Sequence, residues 1–116
     1  MPLPGNILIY CRDPQLLQTR GQVLQRAGYQ VWTASTLAEL VELTSQPKMD
    51  VILLCHTLSK DECGRALAVT HARWPKMQTI ALVAGVSGCP PAVADAVLYA
   101  TDGPVKLIQA VREHVV

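Results

Sequence analysis

The sequence predicts a single doubly wound α/β domain, a five-stranded parallel sheet covered by helices on both faces. Strand-like and helix-like segments alternate along the whole chain with short links between them, which is the signature of that architecture. The run Val51-Ile52-Leu53-Leu54 is apolar without interruption. It is bounded by Pro47-Lys48-Met49-Asp50 before and polar residues after, as suits a central strand buried on both faces. A chain of 116 residues, half of them hydrophobic, is one domain with enough apolar surface for a real core.

Each element has its own signal. Asn6-Ile7-Leu8-Ile9-Tyr10 reads as the first strand. Asp13-Pro14 then starts a helix, with a capping oxygen followed by proline at the first helical position. Leu16, Leu17, Val23, Leu24 and Ala27 give that helix an apolar face, and Gly28 ends it. Gln30-Val31-Trp32-Thr33 is a short second strand. Thr36 and Glu39 have the spacing of a capping box, and Leu37, Leu40 and Val41 carry the second helix to just before Pro47. The third strand covers Asp50 to Cys55, and the third helix spans about Asp61 to Arg73, stopped by Trp74-Pro75. Thr79 to Ala84 is the fourth strand. Pro90 to Val97 is read as a short, alanine-rich fourth helix and Leu98-Tyr99-Ala100 as the fifth strand. Val105, Ile108, Val111 and Val115 mark a closing fifth helix. Repeats, low-complexity tracts and linkers are absent.

Composition excludes several classes of function. Charged residues make up 16% of the chain and the net charge is +1, with no basic run and few aromatics, so there is no electrostatic footprint for nucleic acid or anionic lipid. The apolar runs are far too short to cross a bilayer. Met1-Pro2-Leu3-Pro4-Gly5-Asn6 has neither the basic start nor the long apolar region of a secretion signal, so a cytoplasmic address is expected. Four cysteines in a domain with an ample core are then expected to be reduced thiols.

Asp50, the strand after it and Leu58-Ser59-Lys60-Asp61-Glu62-Cys63-Gly64 resemble the response-regulator receiver domain of bacterial two-component signalling, of the chemotaxis-regulator type. The resemblance covers nearly the whole chain. It implies a flavodoxin-like, three-layer fold with strand order 2-1-3-4-5, in which chemistry collects at the C-terminal edge of the sheet. It also implies a phospho-acceptor aspartate where this chain has Cys55, and an acidic pair for magnesium where it has Cys11 and Arg12. Magnesium needs hard oxygen ligands, and a guanidinium would repel it. Asp13 follows that pair and reads as the helix cap. The family's switching hydroxyl falls on Val83 and its lysine on Gly103. Pro104 is retained, and the resemblance implies a cis bond before it. Lys106, beyond the proline, reads as an exposed helix residue. A one-residue slip in alignment that recovered Asp13 as a ligand would leave Cys55, Val83 and Gly103 in place. The chain is thus read as a degenerate receiver, with no metal, no cofactor and no catalytic residue.

Two functions remain open at this stage. One is a phosphorylation-independent module that works by protein contact. Between Gln78 and Val105 only Asp95 and Asp102 are charged, and Pro90, Pro91, Ala92, Val93, Ala96 and Val97 would form an apolar patch rimmed by Lys106, Gln109, Arg112 and Glu113. In the family, the fourth helix, fifth strand and fifth helix form the output and dimer surface, which implies a signalling partner or a homodimer. The other function is a thiol redox or soft-metal sensor, since Cys11, Cys55, Cys63 and Cys89 all map to one end of the fold beside His56. Against it, free cysteines often serve as small buried hydrophobes. Arg12 is expected either to pair with Asp13 or Glu62, placing a fixed cation where the metal would sit, or to extend into solvent. An enzyme is disfavoured because no base, nucleophile and anion-binding group converge.

Overall fold

The computed structural model describes residues 5–46, 48–85 and 94–115. Strand and helix alternate through β1 (Asn6–Tyr10), α1 (Pro14–Arg26), β2 (Gln30–Ala34), α2 (Leu37–Leu43), β3 (Val51–Leu54), α3 (Lys60–Arg73), β4 (Gln78–Val83), β5 (Ala96–Tyr99) and α4 (Pro104–His114). The strands form one all-parallel sheet in the order β2-β1-β3-β4-β5. The fold class, strand order and strand number expected from the sequence are therefore observed.

Alternation along each strand divides the core into two layers. Leu8, Tyr10, Ile52, Leu54 and Ala81 face α2 and α3, where Leu37, Leu40, Leu43, Ala66 and Leu67 cover them. Ile7, Ile9, Val51, Leu53, Ile80 and Leu82 face the other way, onto Leu16, Leu17, Leu24, Leu107, Ile108 and Val111 of α1 and α4. All four residues of β3 are buried, which is why that strand reads as an unbroken apolar run rather than an alternating one. Cys11 and Cys55, one residue past β1 and β3, continue the second set and lie in the α1/α4 layer.

Helix starts follow the capping rules. The Asp13 carboxylate accepts from the Gln15 and Leu16 N–H groups, and Pro14 follows it. Thr36 accepts from the Glu39 N–H, but the Glu39 carboxylate reaches one residue further back, to the N–H and hydroxyl of Ser35, so the expected box closes on a different partner. The full reciprocal box belongs instead to Ser59 and Glu62, and it starts α3 at Lys60, slightly ahead of the expected Asp61. Gly28, with φ of 100°, turns the chain out of α1 as expected.

Three expectations need correction. The strand β5 begins at Ala96, so Ala96 and Val97 pair with Ile80 and Ala81 instead of lying on a helix. The rest of that expected helix, Pro90, Pro91, Ala92 and Val93, lies outside the described residues. Val105 lies on the closing helix as expected and is 76% exposed, on the side of α4 away from the buried Leu107, Ala110 and Val111. The Gly103–Pro104 bond is trans, as are all peptide bonds among the described residues. Gly103 makes the turn with φ of 88°, and Pro104 then occupies the first helical position. Cys63 is disulfide-bonded, against the expectation of four reduced thiols.

Candidate functional site

β1 and β3 are hydrogen-bonded neighbours with Tyr10 opposite Leu54, and the ladder continues one step as the Cys55 N–H donates to the Tyr10 carbonyl. The next residues, Cys11 and Cys55, therefore emerge side by side at the C-terminal edge of the sheet. Both are fully buried, unbridged and in the same core layer. Cys11 Sγ is also 3.5 Å from Thr57 Oγ1 and 3.5 Å from the Asp13 carbonyl oxygen.

A third side chain completes this group. Arg20 projects from α1, and its Nη1 donates to Cys55 Sγ at 3.0 Å. Leu16, Arg20 and Leu24 recur at helical spacing, which sets a guanidinium into the apolar stripe of α1. That signal is present in the sequence, because a cation at such a position needs a buried partner. Thr57 has no comparable signal in the sequence.

The two thiols are driven apart in acidity. The hydrogen bond from Cys55 pulls Cys11 from the ordinary 9.0 down to about 6 against the opposing effect of burial, helped by Thr57, the Asp13 backbone and the Arg20 charge. Cys55 is pushed far up by that same bond, by burial and by the charge on Cys11, while Arg20 acts in the opposite direction. The pair behaves as one acid that keeps its second proton, with a Cys11 thiolate accepting from the Cys55 thiol.

The position expected for magnesium is filled by other interactions. Arg12 turns outward and pairs with Glu62 at 2.5 Å, one of the two partners foreseen for it. Burial alone would raise the Glu62 carboxyl, but the Ser59 N–H and Arg12 hold it below its ordinary value. Asp13 spends its carboxylate on the α1 cap. Sulfur, a guanidinium and a committed carboxylate do not fit a magnesium ion. Val83 ends β4 opposite Tyr99, and Gly103 offers no side chain at the start of α4. Lys106 is exposed on that helix.

The wider cysteine cluster is not assembled. Cys63 packs in the α2/α3 layer, across the sheet from Cys11 and Cys55, and Cys89 lies outside the described residues. His56 is half-buried, and its Nδ1 has no hydrogen-bond partner. Among the described residues no three His, Cys, Asp or Glu side chains converge as a metal site would require.

No protein-family model matches the chain, and no curated protein sequence matches it. Many solved structures do. The response regulator receiver domain protein of Methanospirillum hungatei aligns with a TM-score of 0.78 at 24% identity, over 96% of this chain and 93% of its own. The chemotaxis protein CheY4 of Vibrio cholerae gives 0.78 at 19% identity, over 95% and 98%. A response regulator of Burkholderia pseudomallei, solved with a phosphorylated aspartic acid, calcium and citrate, gives 0.73 at 19% identity, over 97% of this chain and 66% of its own. These likenesses establish architecture, and the chain has the fold of a response-regulator receiver domain.

Proposed function

We propose that this chain is a receiver-like signalling module that acts by protein contact and without phosphorylation. The observation that carries the reading is the composition of the C-terminal edge. Cys11, Arg12, Cys55, Val83 and Gly103 stand where phosphoryl chemistry would need carboxylates, a hydroxyl and a lysine. Each is engaged in packing, capping or pairing that leaves no oxygen cluster for a metal. Phosphoryl transfer depends on neutralising charge at the transferring oxygens, and the cations nearest this edge are already committed to Glu62 and Cys55.

The face built by β5 and α4 supports the contact role. β5 is an edge strand, and Val97 and Tyr99 on it are 39% and 62% exposed, with Val105 exposed on α4. Lys106, Gln109 and Arg112 are exposed on α4 beside Val105, as polar residues border apolar ones in protein interfaces, whereas Glu113 lines a different cavity with Lys48 and Lys76. A second protein of the same pathway is the proposed occupant, with a second copy of the chain as the alternative. Affinity purification from the native cell, without phosphodonor, tests this with wild type and a Tyr99→Glu/Val105→Glu variant. A partner identified by mass spectrometry, rebound by the purified wild type and lost with the variant, is expected. Equal binding by both would overturn the assignment of the face.

A further inference from the structure

The dithiol at the sheet edge has features that a space-filling role does not require. Two fully buried cysteines follow adjacent strands in register and face the same layer. Neighbouring strands are roughly 4.8 Å apart, within the roughly 4.4–6.8 Å between Cα atoms that a disulfide spans. A guanidinium is directed at one sulfur from a helix that otherwise presents leucines. Small hydrophobes filling a void would need no cation, yet the half-buried Arg20 turns its guanidinium inward to Cys55. Arg20 also lines a cavity of about 200 Å³ between α1, β5 and α4, bounded by Leu16, Thr19, Tyr99, Asp102, Gly103 and Pro104. A small molecule entering it comes within one side chain of Cys55.

We propose that Cys11 and Cys55 form a reversible intrachain disulfide in response to a peroxide oxidant. The Cys11 thiolate attacks one oxygen of hydrogen peroxide, the O–O bond breaks and hydroxide departs, leaving a sulfenic acid on Cys11. The Cys55 sulfur then attacks the Cys11 sulfur. The S–O bond breaks, and the departing hydroxide takes the Cys55 proton as water. Two electrons pass from the two sulfurs to the peroxide, and a dithiol reductant returns them. Cys55 is the resolving thiol because it is the adjacent sulfur on the neighbouring strand. Arg20 balances the buried negative charge before oxidation and is left without that partner after it. Cys63 takes no part, because it lies on the opposite face of the sheet and is already bridged. The inference stands apart from the protein-contact reading, since either can hold without the other.

Peptide mapping of the native protein after mild peroxide treatment and alkylation tests the proposal without relying on any variant. A Cys11–Cys55 linked peptide, reversed by dithiothreitol and absent from Cys11→Ser protein, is the expected result. Recovery of both cysteines as alkylated thiols would overturn it, as would sulfinic and sulfonic acids on Cys11 with no linked peptide. In an Arg20→Met variant with unchanged circular dichroism, the linkage is expected to form several-fold more slowly. An unchanged rate in that variant would remove Arg20 from the site.

Discussion

The opposite shifts of Cys11, pulled down, and Cys55, pushed up, have a measurable pH signature. Thiolate absorbance in the ultraviolet is expected to titrate near a pH of about 6 in wild type and to lose that phase in Cys11→Ser. Stability follows with a defined sign. Cys11 is depressed, so its contribution is complete above its unfolded value and is lost as pH falls through about 6. Cys55 is raised, so its contribution is intact below the unfolded thiol value and is lost as pH climbs beyond it. The pair therefore gives unfolding stability that rises from about pH 6 toward 9.0 and falls above it, and Cys11→Ser should flatten the rise in denaturant titrations. Arg12 behaves differently. Its guanidinium is 60% exposed, so Arg12→Ala should cost no more than about 1 kcal/mol in the same assay, while the Glu62 titration followed by NMR moves back up. The sequence made Asp13 legible as a cap, because Asp-Pro has a local meaning. It left Arg20 illegible, because the value of a cation in an apolar stripe depends on what a strand 35 residues away supplies.

Secondary structure was most legible where burial was complete. β3 reads directly from its apolar run, and its central place predicts that Leu53→Ala costs about 2–5 kcal/mol by chemical denaturation, as for buried leucines generally. Ser59 closes a reciprocal cap, so Ser59→Ala should lower stability by about 1 kcal/mol and fray the start of α3, visible in amide hydrogen exchange. That cap was present in the sequence as Ser-x-x-Glu but was passed over in favour of the acidic residues just after it. β5 was placed two residues late for a physical reason. Its burial alternates along Ala96, Val97, Leu98 and Tyr99, yet all four are apolar, so the period of an edge strand was hidden in the sequence.

At the scale of the whole molecule, a doubly wound sheet sends the residues after β1 and β3 to one edge whatever their identity, and the fold of a phosphorylated switch can persist without its chemistry. Asp95 and Asp102, the only charges in the stretch leading to α4, receive the N–H groups of Thr79 and Tyr99. The proposed division of labour sets a sheet edge without phosphoryl chemistry beside a face for protein contact. Intact-mass measurement of the reduced protein after incubation with acetyl phosphate and magnesium tests it most directly. The account predicts an unmodified mass and an unchanged spectrum; a stable phosphate adduct that requires magnesium would contradict it.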